Sequence, residues 1–234
     1  MTAARFAGDR AVGIGLVGTG LMYNTQYFRE RGWAPPTSWT DLADPKYRRL
    51  IVIPPINNTY GLHTLVMFAR LNGGGERAIE PGFQVMKDRI NPNVLAYEPS
   101  PGKMTELFQS GQAALAVWGT GRVAAFAATG FPVDFVYPKE GTITLLAAVC
   151  PIAKQNASPQ AQDFIRALVQ PEVQAVLAAE FGFGPVSRRA PVDAAANPML
   201  PVGERAAQLI NVDWDVINPN RDAWTRRWNR EVER

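Results

Sequence analysis

The segment Ala113-Ala114-Leu115-Ala116-Val117-Trp118 is apolar at every position and is followed by Gly119-Thr120-Gly121-Arg122. A short apolar run without polar alternation, closed by turn residues, predicts a strand covered on both faces. Val123 to Thr129 is Ala-rich and compatible with a helix. The order strand, turn, helix puts the turn at the carboxyl end of a strand, where open α/β sheets hold ligands. A helix start there also presents backbone N–H groups with no internal partner.

The same pattern occurs twice more. Leu50 to Ile53 predicts a buried strand, Pro54 to Thr59 its exit loop, and Tyr60 to Leu71 a helix with Leu62, Leu65, Val66 and Ala69 on one face. Asn93 to Tyr97 predicts a third strand, and Ser100-Pro101 opens a helix that ends at Ser110-Gly111. With the three strands parallel, the loops at Pro55–Tyr60, Glu98–Gly102 and Gly119–Arg122 emerge on one edge. The groups offered there are Asn57, Asn58, Thr59, Tyr60, Ser100, Trp118, Thr120 and Arg122, with Glu140 joining from the next turn. Amides, hydroxyls and two aromatic rings with few charges make a recognition surface for a small molecule.

The remaining pattern is simpler. A short helix from Thr25 ends at Gly32, and Ser38 with Asp41 forms a capping box. Helices are expected from Gly82 to Arg89, from Ser158-Pro159 to Val169, and from Pro171 to Glu180, where Gly182, Gly184 and Pro185 stop the last. Val133 to Tyr137 reads as a fifth strand-like run and Thr142 to Ile152 as a long extended one. The tail, Asp222 to Val232, is expected to pack Trp224 and Trp228 inward and solvate Arg226, Arg227 and Arg230.

Composition narrows the chemistry. The chain has 234 residues and a net charge of +3, too small a surplus to argue for nucleic acid. One cysteine, Cys150, excludes an internal disulfide and, lying in an apolar run, is expected to be buried and inert. It and the single histidine, His63, are too few for a His/Cys metal site, and neither metal nor cofactor is expected. His63 has no acidic neighbour in sequence and reads as structural or solvated. No serine, cysteine or threonine has an evident base, so the chain does not read as an enzyme. Gly13 to Gly18 matches G-x-G-x-x-G, which would make an NAD(P)-dependent oxidoreductase the alternative of another class. That pattern needs a strand before it and a helix opening inside it. A Gly-rich extended segment from Val12 to Val17 is the expected conformation. No apolar run reaches the roughly 18 residues of a membrane span, and Met1 to Arg10 shows no signal-peptide core.

Several stretches taken together carry a family resemblance. They are Leu21-Met-Tyr-Asn24-Thr25, Gly32-Trp-Ala-Pro-Pro-Thr-Ser-Trp39-Thr-Asp-Leu42, Asp44-Pro-Lys-Tyr47, Leu107-Phe-Gln-Ser-Gly111-Gln-Ala-Ala114, Gly130-Phe-Pro-Val133, Tyr137-Pro-Lys-Glu-Gly141, Ala161-Gln-Asp-Phe164 and Pro171-Glu-Val-Gln174. In this order and spacing the sequence resembles extracellular solute-binding proteins of ABC importers, within the spermidine/putrescine, iron, thiamine and phosphonate cluster. The resemblance implies a type II periplasmic-binding fold: two α/β lobes joined by crossing hinge strands, with ligand between them. It maps 1–20 to a remnant of the first lobe and a hinge strand, 21–141 to the second lobe, and 142–234 to the return strand and C-terminal helices of the first lobe. Members carry most of the first lobe before the residues matching Val12. The chain is therefore expected to be a fragment or to have a misassigned start, to bind solute weakly alone, and to expose apolar surface on its C-terminal helices. The resemblance also implies a periplasmic protein, monomeric at full length, that hands a small solute to a membrane permease. Trp118 matches a polyamine-site tryptophan. The carboxylate expected after it is replaced by Gly121-Arg122, and the Trp-x-Asp expected after Gly141 by Ile143-Thr144-Leu145. Both departures remove negative charge, which favours an anionic carboxylate or phosphonate, with polyamine as the alternative.

Overall fold

The computed structural model describes residues 11–152, 158 and 160–233. The expected first-lobe remnant is thus described only from Ala11, and Pro159 of the Ser158-Pro159 helix start lies outside the described residues. Strand β1 (Val12–Asn24) is the central element. It is longer than the extended segment expected from the glycines, because Leu21-Met22-Tyr23 continue it into the core. After β1 come α1 (Thr25–Glu30), a 3-10 turn (Trp39–Ala43), β2 (Ile51–Ile53), α2 (Thr59–Leu71), α3 (Glu80–Val85), β3 (Val94–Tyr97), α4 (Pro101–Gln109), β4 (Leu115–Gly119), α5 (Thr120–Ala127), β5 (Val133–Val136) and β6 (Thr142–Val149). Then follow α6 (Gln160–Leu168), α7 (Pro171–Phe181), α8 (Glu204–Ala207), β7 (Leu209–Ile210) and α9 (Trp214–Glu231).

All seven strands join one sheet in the order β3-β2-β4-β1-β6-β7, with β5 also on β1. β2 pairs in parallel with both β3 and β4, so the three predicted strand-to-helix loops do share one edge. β1 runs antiparallel to them, Thr19 to Tyr23 lying opposite Gly119 to Leu115. Its earlier half leaves the body as a two-stranded ribbon with β6, from Thr19 opposite Ile143 out to Val12 opposite Val149.

Period-two alternation explains the two core layers. Leu21, Ile51, Ile53, Leu115 and Val117 face one side, where α2 and α9 supply Leu62, Val66, Phe68, Trp224 and Trp228. Met22, Val52, Ala116 and Trp118 face the other, against Met104, Phe108, Val123 and Phe126 of α4 and α5. Because both faces are covered, the strands read as unbroken apolar runs. The tail helix buries its tryptophans as expected, but it begins eight residues earlier than Asp222, at Trp214. It lies on the core shared with Trp39 and Phe68.

The ribbon and α6–α7 are less covered. Phe164, Val176 and Phe181 are more than half exposed, in line with the apolar surface expected on these helices. Cys150 is exposed, contrary to expectation. Its apolar run is strand, but the end of that strand projects past β4 into the ribbon, where Ala148 is also exposed.

Gly13 to Gly18 lies wholly within β1, and no helix opens inside it. The glycines instead admit neighbours: a Cβ at Gly15 would come 2.6 Å from Phe183, and one at Gly18 2.7 Å from Thr142. The dinucleotide alternative therefore lacks the turn on which its phosphate contacts depend.

Candidate functional site

At the shared edge, each loop is closed by its own chemistry. The Asn58 carboxamide oxygen accepts from Tyr60 N at 2.9 Å and caps α2. The Ser100 hydroxyl accepts from Lys103 N at 3.4 Å and caps α4. No side chain caps α5, whose N-cap is Gly119. Of the three helix starts, α5 alone keeps its first-turn N–H groups without a capping side chain.

Tyr60 forms the floor; Trp118 is buried in the core behind it and does not line the cavity, its ring lying 5.3 Å from that of Tyr60 and tilted. Gly119 permits this close approach: a Cβ there would sit 2.2 Å from the Tyr60 hydroxyl. Burial raises the Tyr60 pKa against the opposing pull of Arg122, so the phenol is a neutral donor at pH 7. Arg122 is exposed in the first turn of α5 and makes no hydrogen bond or ion pair among the described residues. Both residues line an open cavity of about 340 Å³. The ribbon contributes Val17, Leu145 and Ala147 to its wall, and the end of α7 contributes Glu180 and Phe181.

Not every residue chosen from sequence is available. Thr59 opens α2 and is half-buried, while Asn57 is exposed and its carbonyl accepts from Arg221 of α9 at 3.4 Å. Thr120 is fully buried, and its hydroxyl accepts from Gly18 N at 3.1 Å, tying α5 to β1. Glu140 is drawn to the 3-10 turn instead. One carboxylate oxygen accepts from the Ser38 hydroxyl and the other from Trp39 N at 3.1 Å. Glu140→Ala is expected to cost about 1–2 kcal/mol of stability through these lost charge-assisted bonds. Solute affinity should be unchanged; chemical denaturation and a ligand titration of the variant check the two halves.

Sequence reasoning missed Glu180, Phe181 and Phe183. Their place depends on α7 meeting α5 at Gly121 and Gly182, where a Cβ on either glycine would come 2.6 Å from the other segment's backbone. Two glycines 61 positions apart give no local signal. Among the described residues no cluster of three or more His, Cys, Asp or Glu is placed to hold a metal ion, and no helix is long and apolar enough to cross a membrane.

A mixed α/β sheet whose parallel edge carries helix starts, flanked by a crossing ribbon, fits a truncated type II periplasmic-binding fold. The chain belongs to the bacterial extracellular solute-binding protein family, matched over residues 5–220. A curated relative, the spermidine/putrescine-binding periplasmic protein of Escherichia coli (strain K12), is 24% identical over 148 residues. That match covers 63% of this chain and 42% of the relative, so it spans about two fifths of the relative's length. An ABC transporter substrate-binding protein from Bradyrhizobium japonicum USDA 110 superposes with a TM-score of 0.80 at 20% identity, over 99% of this chain and 72% of that one. The periplasmic binding protein AfuA from Actinobacillus pleuropneumoniae, solved with exogenous fructose-6-phosphate bound, superposes at 0.76 with 19% identity, over 98% and 70%.

Proposed function

We propose that this chain is the solute-binding component of a bacterial ABC importer, located in the periplasm, and that it captures a small polar anion at the α5 edge for delivery to a membrane permease. One observation carries the choice of an anion: α5 presents uncapped N–H groups and, in the same turn, the unpaired guanidinium of Arg122. Helix N-termini and arginine forks both favour carboxylates and phosphates. Tyr60 adds a neutral donor from the cavity floor. The phosphosugar bound to AfuA is of this charge type.

A polyamine is the second reading, favoured by the name of the curated relative. Ammonium groups need carboxylate partners; among the described residues Glu140 is occupied by Ser38 and Trp39, which leaves Glu180 as the one carboxylate on the cavity, fewer than the two or more charges of a polyamine require.

The test is an NMR titration of the Trp118 indole N–H with small carboxylates, phosphonates, sugar phosphates, putrescine and spermidine. We expect shifts with the anions. Arg122→Ala should weaken them about tenfold or more, the loss of a charge-assisted hydrogen bond, with no change in melting temperature because the side chain is exposed. Shifts with polyamines alone overturn the reading.

A further inference from the structure

The cavity beside Arg122 also carries a negative charge. Glu180, at the end of α7, lines it, is exposed, and makes no ion pair among the described residues. Arg122 and Glu180 share one cavity without pairing with each other, so neither charge is neutralised within the site. A simple anion held by Arg122 would meet repulsion from Glu180, and a simple cation the reverse. A solute with both charges satisfies both groups.

A second cavity, of about 250 Å³, adjoins the first and shares Gly121, Ala125, Glu180 and Phe181 with it. Its walls are mostly apolar and small: Ala124 of α5 and Ala128 just after it, Ala178 and Ala179 of α7, with Met199 and Leu200, and Asn197 as a polar neighbour. Apolar cavities of about 150 Å³ already accept a benzene-sized guest. An isobutyl or benzyl group fits this space. The charged groups and the apolar compartment meet at Glu180 and Phe181.

We propose that the solute is an amino-acid-like zwitterion with an apolar side chain: its carboxylate on Arg122 and the α5 start, its ammonium on Glu180, and its side chain in the alanine-lined compartment. This rests on the reading of the α5 edge as the solute site and adds the second charge and the apolar portion.

The probes for the full 234-residue chain are L-leucine, 4-methylpentanoate (the same skeleton without the ammonium), 3-methylbutylamine (without the carboxylate) and glycine (without the side chain). Each is titrated to about 50 mM and followed by NMR. Leucine should bind about tenfold or more tighter than each of the others. Glu180→Gln should weaken leucine and strengthen 4-methylpentanoate until the two bind alike. Ala128→Leu, on the exposed side of α5, should remove at least half of leucine's advantage over glycine. If 4-methylpentanoate binds the unmodified protein as well as leucine, with both sensitive to Arg122→Ala, the zwitterion proposal falls and the anion site stands. If 3-methylbutylamine alone binds, both fall; if no probe shifts a resonance, the zwitterion proposal falls and the phosphonates and sugar phosphates decide the anion site.

Discussion

Lowering the pH from 7 to 4.5 is expected to destabilise this fold by about 2–3 kcal/mol through one side chain. His63 is fully buried on α2. Its Nδ1 is hydrogen-bonded to the Thr19 hydroxyl at 2.8 Å, its Nε2 has no partner among the described residues, and the Trp214 ring lies 5.9 Å away. Burial, then the charges of Arg70 and Arg221, lower its pKa to about 3 from 6.5. The native imidazole therefore stays neutral in the window from pH 6.5 to 3, while the unfolded one binds a proton. The unfolded state gains protons, so stability is full above pH 6.5 and drains as the pH falls, at about 1.4 kcal/mol per unit. Histidine, the side chain whose ordinary pKa lies near 6.5, occurs once in the chain. The carboxylates of Asp44, Glu76, Glu80 and Glu231 have lowered values and begin to lose their contributions only as the pH nears their ordinary 3.8 to 4.5, at the acid end of this range. Denaturant unfolding at half-unit steps from pH 7 to 4.5 measures the slope. His63→Gln, which keeps an amide in reach of Thr19, should flatten it. An unchanged slope in that variant would sink the assignment.

His63 and Thr120 belong to one arrangement. Thr19 is held by His63 and Gly18 N by the Thr120 hydroxyl, so adjacent residues of β1 are fastened to α2 and to α5. These are two of the three helices whose starts form the candidate site. The crossing strand and the parallel edge are thus joined by buried hydrogen bonds, whose loss leaves unsatisfied groups and costs more than a surface contact.

The parallel edge with its helix starts was legible because its signals are local. An apolar run, a turn and a cap define each strand–helix unit, and three such units in succession imply parallel strands. The status of individual side chains was not local. Glu140 looks free in a turn, yet its partner Ser38 is 102 positions away. Thr120 looks like a ligand hydroxyl, yet it faces Gly18 at the same separation. Arg122 survived as a candidate because an exposed residue in a first turn needs no distant partner. The path of β1 was misread for a related reason. Its glycines and Thr19 break the apolar pattern, and only the pairings with β4, β5 and β6 show why small residues sit there.

Trp228→Ala is expected to remove about 3–5 kcal/mol, a large part of the 5–15 kcal/mol typical of a whole domain. The indole is fully buried, stands edge-on to Tyr97 at 5.3 Å, and donates from Nε1 to Glu233 at 3.1 Å. It lies at i+4 from Trp224 on the face that α9 turns to the core. The same helix carries Arg227, which bonds Glu80 at 2.6 Å and Glu231 at 2.8 Å and lies 4.2 Å over the Phe83 ring. Those contacts are more numerous but sit at the surface, Glu80 being well exposed, and pairs of that kind contribute about 0–1 kcal/mol. Buried area decides: Trp228→Ala should far exceed Arg227→Ala, and Trp228→Phe should recover most of the difference by refilling the space. The loss should also reach the site. Tyr97 ends β3 immediately before Glu98, whose N–H donates to the Ile53 carbonyl and whose carboxylate accepts from Ser100 N. With the indole gone, one side of the Tyr97 ring lies against a void, and amide exchange over Glu98 to Lys103 should quicken before that of β4. If Arg227→Ala costs as much as Trp228→Ala, α9 is held by charge at its rim and not by its tryptophans.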